Sequence, residues 1–190
     1  ESHMSTFATP APELARTGHL TKQNFADFKN RLWESCEGSG VAAHCTANAL
    51  FLVQRRVTTW GLTEGYAQHW GVVASGKAYD SLAQFYESCD EERRRLLDSS
   101  ARNLHGKAFI DLDHESAADL LERREVEVVG YRYSWSFVSA HFTPEAAQLF
   151  IDKNKFGFDE PLRMYVFSQA YCEEFNAVKN ALMDGRISFN

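Results

Sequence analysis

The feature that most constrains the fold is a long alternating segment, VEVVGYRYSWSFVSAHF, at residues 126–142. Tyr131, Tyr133, Trp135 and Phe137 follow one another at every second position, so a β-strand would place all four rings on one side. An aromatic row of this length is typical of a face that packs beneath helices. We therefore expect a strand whose aromatic side is covered. Base stacking on an exposed aromatic sheet is the alternative.

The rest of the chain alternates between helical and strand patterns. Alternating β-branched residues predict strands over 50–60 and 66–75, and LRMYVFS at 162–168 predicts another. The apolar segment AFIDL at 108–112 predicts a short strand as well. Helical spacing after a capping residue predicts helices that begin near Thr21, Asp80, Asp90, Ser116 and Thr143, with a closing helix that ends at Gly185.

This order of elements predicts an α+β fold with a single mixed or antiparallel sheet packed against helices mainly on one face. We expect the first two strands to pair as a hairpin, and the late strand–helix–strand unit to form a parallel pair. The chain has 190 residues, which suits one domain over 20–190. Residues 1–19 are predicted to be a cloning scar, ESHM, followed by a flexible arm.

Composition narrows the class of function. The formal net charge of −6 disfavours a dedicated nucleic-acid binder, which normally carries a basic surface. The four cysteines form no CxxC pair, and no secretory signal is visible, which is typical of reduced thiols in a cytoplasmic protein. No apolar run reaches the length of a membrane span. A protein is therefore the expected partner, and the oligomeric state stays open.

His44 and Cys45 form the first candidate catalytic site. A nucleophilic cysteine needs a thiolate and a histidine base placed across the site. Because a strand follows closely, adjacent side chains there would point to opposite faces, so a base would have to come from elsewhere, such as His69, His105 or His141. The alternative is a strand entrance without chemistry, since thiols are often buried.

A second candidate is the run DLDHE, in which Asp111, Asp113 and His114 could hold a divalent metal ion through two carboxylates and an imidazole. On a short strand, Asp111 and Asp113 would share a face. Acidic residues just ahead of a helix are equally typical of helix caps. No glycine-rich phosphate loop, GxSxG elbow, HExxH motif or zinc-spaced cysteine set is present.

A third candidate is a binding surface around Arg55 and Arg56, together with Tyr66, His69 and Trp70 on the following strand. The other arginine runs are interleaved with acidic residues, as on solvated helix faces. Arg55 and Arg56 lie in a strand with no carboxylate nearby in the sequence. They could therefore meet a phosphate or an acidic partner.

Two long segments, at 44–70 (HCTANALFLVQRRVTTWGLTEGYAQHW) and 141–185 (HFTPEAAQLFIDKNKF…PLRMYVFSQAYCEEFNAVKNALMDG), together carry a resemblance. They resemble uncharacterised small α+β proteins of bacterial phages, plasmids and integrated elements, with the patterns FxVQQRRRxxGxxxxY and FFTxxxAxxFI…LRxYVxSxYxxxExxAxxxxLL. The resemblance implies a bacterial, cytoplasmic setting on a mobile element and transfers no catalytic residues. Proteins of that setting often bind and block another macromolecule.

The leading hypothesis is therefore a non-enzymatic macromolecule-binding protein, in its most specific form a phage or plasmid accessory or anti-defence protein. The alternative is a hydrolase that uses Cys45 with a distant histidine, or a metal ion at Asp111, Asp113 and His114. No cofactor is expected beyond that divalent metal.

Overall fold

A computed structural model describes residues 12–44, 46–124 and 126–189. The described chain forms α-helices and β-strands in an α+β arrangement, as predicted. The helices are α1 (Glu13–Thr17), α2 (Lys22–Cys36), α3 (Gly40–His44), α4 (Leu82–Ser88), α5 (Glu91–His105), α6 (His114–Leu121), α7 (Pro144–Asn154) and α8 (Glu173–Met183). The strands are β1 (Ala49–Leu62), β2 (His69–Ala74), β3 (Lys77–Tyr79), β4 (Val126–His141) and β5 (Leu162–Ser168).

The chain divides into two compact units. The terminal unit comprises residues up to 56 and from 135 onward, and the central unit comprises residues 57–134. Strands β1 and β4 run through both. The prediction of one domain over 20–190 stays a prediction. Within the predicted flexible arm, residues 13–17 instead form helix α1, which ends at the left-handed Gly18.

The five strands lie in the order β3-β2-β4-β1-β5, in an antiparallel sheet. The predicted hairpin between β1 and β2 is therefore wrong, because β4 lies between them. The connection from Leu62 passes close over Gly130 of β4, where an added Cβ would lie 2.3 Å from the Leu62 carbonyl oxygen and 2.6 Å from the Ala67 Cβ. Only glycine leaves room for the chain to cross at this point.

The predicted parallel pair is also wrong. Strands β4 and β5 run in the same direction, but β1 lies between them and pairs antiparallel with β5. The register joins Ala49 to Ser168 and Arg55 to Leu162. Helix α7 thus connects two strands of the same direction that are not neighbours in the sheet.

Local capping signals in the sequence predict several helix boundaries correctly. Thr21 caps α2 and forms a capping box with Asn24, and Asp90 caps α5. Thr143 caps α7 with a proline at its first position. Two cap predictions are off by a few residues, since Ser81 rather than Asp80 caps α4 and Asp113 rather than Ser116 precedes α6.

The central unit buries its core between helices α4 to α6 and one face of β2 and β4. Val72 and Val126 contribute from the strands, and Phe85, Leu97 and Leu121 from the helices. Residues 109–111, inside the segment predicted as a strand, form a 3₁₀ turn that places Phe109 in this core. Strand β3 lies in a segment that the sequence predicts only as a turn.

The terminal unit has a separate core. Ala49, Phe51 and Val53 of β1 pack with Ala147 of α7, and β5 adds its even-numbered side chains. Val138 of β4 packs on the same cluster. The helices of this unit therefore cover one face of its strands. None of the helices in the described ranges combines the length and apolarity needed to cross a bilayer.

Candidate functional site

His44 does not lie at a strand entrance, because it is the last residue of helix α3. The edge of its ring packs on Phe51, with centroids 5.3 Å apart. Burial lowers the pKa of His44, although the backbone of Ser35 and Thr46 favours the charged ring. His44 is thus half-buried and packs against Phe51, a residue of the terminal core. Cys45 lies outside the described residues, so its pairing with a base stays a prediction.

His141 ends strand β4, and burial lowers its pKa. Its Nε2 is 2.9 Å from the Ser139 hydroxyl, and its ring lies 5.5 Å from that of Phe150. His105, another candidate base, lies 3.9 Å from the Asp119 carboxylate in the central unit. The two histidines thus lie in different units, His141 in the terminal unit and His105 in the central unit.

The predicted metal residues do not converge. Asp111 ends the 3₁₀ turn, so it does not share a strand face with Asp113 as expected. Asp113 is the N-cap of α6, where its carboxylate accepts a hydrogen bond from the Ser116 amide at 2.8 Å. That amide holds the pKa of Asp113 below its usual value. Within the described residues, no three His, Cys, Asp or Glu side chains are grouped as metal ligands.

His114 instead stacks on Trp70, with ring centroids 4.0 Å apart and planes inclined by 10°. Trp70 of the predicted binding surface and His114 of the predicted metal site are therefore in contact with each other. An open groove of about 280 Å³ borders this stack, between Leu82 and Ile110. That volume is at the lower limit of ligand sites, which usually measure about 300–1,000 Å³.

The residues of the predicted binding surface belong to both units, with Arg55 and Arg56 in the terminal unit and the other three in the central unit. Arg56 pairs with Glu160, with 2.8 Å between Nε and Oε2, so a carboxylate distant in sequence satisfies it. Arg55, the next residue on the strand, is exposed. His69 and Trp70 point to opposite sides of β2, and Tyr66 is 70% exposed in the preceding turn. The binding surface expected from these five residues stays a prediction.

The aromatic row of β4 behaves differently in the two units. In the central unit, Tyr131 is only 4% exposed, but aromatic rings rather than helices cover it. Its ring lies 4.3 Å from Trp60, 5.3 Å from His69 and 5.4 Å from Tyr133. Its hydroxyl donates to the Asp80 carbonyl at 2.8 Å. This cluster lies opposite the helical core of the unit.

In the terminal unit, the aromatic row faces solvent. Phe137 is 61% exposed, while Val138, the next residue, packs in the core. The expectation that helices cover this row is therefore wrong at Phe137. Strand β5 shows the same alternation, since Tyr165 and Phe167 are 44% and 46% exposed. We call this side of the terminal unit the open face; it comprises Leu50, Leu52, Gln54, Trp135, Phe137, Arg163, Tyr165 and Phe167.

Arg163 connects the rings of the open face. Its guanidinium lies 3.9 Å from the ring centroid of Trp135 and 5.5 Å from that of Tyr165. Its Nε donates to the Gln54 side-chain oxygen at 3.0 Å. Arg163 of β5 thus contacts side chains of β1 and β4 as well as Tyr165 of its own strand.

A buried lysine is the other unexpected feature of the terminal unit. Lys179 of α8 is 2% exposed, and its Nζ donates to the Ala47 carbonyl at 3.2 Å and to Asn48 Oδ1 at 2.5 Å. It lies near Cys36, whose thiol has a raised pKa because burial outweighs the opposing effect of the ammonium. Cys36 is fully buried. This group therefore holds the turn before β1 in place and offers no access to a substrate.

Three residues of the terminal unit stand out only in the structure: Tyr165, Phe167 and Lys179. The sequence does contain a signal for the two aromatic residues. In LRMYVFS, the odd-numbered and the even-numbered positions are both largely apolar, as expected of a strand with no polar face. For Lys179 there was none, since its acceptors lie 131 and 132 residues away. The contacts of Lys179 are therefore visible only in the structure.

Comparisons with protein-family models, curated proteins and solved structures found no match. The resemblance to proteins of bacterial mobile elements therefore stays a prediction.

Proposed function

We propose that this chain is a non-enzymatic protein-binding module whose binding surface is the open face of the terminal unit. The observation that carries the proposal is the exposure of Phe137, Tyr165 and Phe167 on the side of the strands opposite the helices. Soluble proteins rarely leave several large aromatic side chains together in water unless a partner covers them. Aromatic residues and arginine are also enriched at the centres of protein interfaces.

The charge of the open face favours a protein over a nucleic acid. Arg163 is its only basic residue, and the guanidinium is already stacked on Trp135. A single-strand binder would add several Lys or Arg side chains along the path of the phosphates. A partner with a complementary apolar surface and an acceptor for Arg163 fits better.

The proposal is tested by affinity capture from a bacterial lysate with three forms of the chain. Wild type and Tyr66→Ser, which removes an exposed aromatic ring of the central unit, should retain the same protein. The double variant Phe137→Ser/Phe167→Ser should lose it. Phe137 is 61% exposed and Phe167 is 46% exposed, so the double variant should keep its stability to within about 1 kcal/mol.

Two outcomes would contradict the proposal. If all three forms retain the same proteins, binding does not use the open face. If the face instead retains single-stranded nucleic acid with a steep dependence on salt, base stacking is its role.

An accessory or anti-defence role in a phage or plasmid is the more specific form of the proposal, and only the sequence resemblance supports it. The double variant provides its test. Expression of the wild type in a bacterial host should change phage plating efficiency, and expression of Phe137→Ser/Phe167→Ser should not. Equal plating with both forms would leave the binding proposal standing and remove the anti-defence role.

A further inference from the structure

Strand β5 lies at one end of the strand order, so only one of its edges is paired. On that side, the Gln169 amide donates to the Asn48 carbonyl, and the Arg56 amide donates to the Pro161 carbonyl. Backbone groups alternate in direction along a strand. The odd-numbered residues of β5 therefore direct their N–H and C=O groups toward β1, and the even-numbered ones direct theirs outward.

The outer edge of β5 lacks the features that usually prevent strand addition. Natural edge strands are commonly protected by proline, lysine, a bulge or a covering element. Between Leu162 and Ser168 there is no proline and no lysine, and the one charged residue, Arg163, lies on the open face against Trp135. No other strand of the described chain pairs with this edge.

We propose that the outer edge of β5 pairs antiparallel with β5 of a second copy of this chain, around a two-fold axis at Tyr165. In this register all seven residues of the strand overlap. Arg163 lies opposite the partner's Phe167, and Met164 lies opposite the partner's Val166. No like charges meet, so the strand is complementary to itself.

The distribution of charge also favours a second copy at this position. The terminal unit carries eleven Lys and Arg against twelve Asp and Glu, so its formal charge is −1. The central unit carries nine against fourteen, a formal charge of −5. The terminal unit is thus close to neutral, so repulsion between two copies of it is weak. Edge pairing leaves the sheet faces uncovered, so the dimer would present two open faces side by side.

The two-fold axis gives a specific test, because it places residue 165 of each copy opposite itself. By sedimentation equilibrium, the wild type should show twice the 21.6 kDa mass of one chain. Tyr165→Lys and Tyr165→Glu, measured separately, should each dimerise about fivefold or more weakly, because like charges then face each other. An equimolar mixture of the two variants should recover the double mass. The control Tyr66→Lys, in the other unit, should sediment as wild type.

A second measurement needs no variant. Amide hydrogen exchange at Leu162, Met164 and Val166 should slow as wild-type concentration rises, whereas the Tyr165 amide, which bonds to β1, should be protected at every concentration. A monomeric wild type at about 100 µM, where a micromolar contact is populated, would overturn the proposal. So would charge variants that dimerise like wild type, or a mixture that fails to recover the double mass. None of these outcomes bears on partner binding by the open face.

Discussion

Substitution of Gly130 by alanine tests the crossing of β4 by the chain that connects β1 to β2. The new Cβ would lie 2.3 Å from the Leu62 carbonyl oxygen and 2.6 Å from the Ala67 Cβ. Real Cβ contacts are essentially never below 3.0 Å, so the backbone of Leu62 must move by most of an ångström. Overpacking of this kind costs about 1–3 kcal/mol and more when backbone must shift, so we expect a loss of about 3 kcal/mol.

Urea unfolding followed by circular dichroism measures this loss. With a slope of about 2 kcal/mol per molar urea, the midpoint should fall by about 1.5 M. Gly65→Ala is the matched control, because it lies in the same connection and its Cβ would meet nothing within 4 Å. Its midpoint should be unchanged or slightly higher. A Gly130→Ala protein as stable as the control would refute the crossing, since a direct β1–β2 hairpin would leave Gly130 unobstructed.

Three further predictions concern local contacts. Asp90→Ala removes the cap of α5 and should cost about 1 kcal/mol in urea unfolding, whereas Asp90→Asn should restore most of it. The Tyr86 hydroxyl, followed by the Phe109 amide, holds the pKa of Asp98 below its usual value. The hydrogen bond between Tyr86 and Asp98 therefore stabilises the fold above about pH 4, and this stabilisation is lost as the pH falls through the lowered pKa of Asp98. In Tyr86→Phe, the free energy of unfolding should therefore fall less steeply as the pH is lowered. Iodoacetamide should label the partly exposed Cys172 before the buried Cys36, and simultaneous labelling would contradict the closed core.

The predictions from sequence succeed where the signal is local. The caps at Thr21 and Thr143 depend on residues two or three positions apart, and both are confirmed. The strand order depends on which segments meet across the sheet, and periodicity carries no such information. The crossing at Gly130 is visible in the sequence only as one glycine inside a strand.

For the candidate site as well, the sequence predicts local features but not contacts between distant segments. Alternation along β4 correctly places the aromatic rings on one side, but the side that receives helices is set by contacts with α7 and with other strands. The sequence shows no carboxylate near Arg56, because its partner, Glu160, lies 104 residues away. A phosphate or an acidic partner is therefore the natural expectation from sequence. The three metal candidates are close in sequence, but they differ in local structure. Asp111 ends the 3₁₀ turn, and the Asp113 carboxylate caps helix α6.

Hydroxyl-radical footprinting with mass spectrometry tests the open face most directly, because it reports the solvent contact of individual rings. In the free protein, Phe137, Tyr165 and Phe167 should be oxidised readily while Phe51, 1% exposed, is spared. Addition of a captured partner should protect the first three. Rings as unreactive as Phe51 in the free protein, or unchanged reactivity in the complex, would contradict binding through this surface.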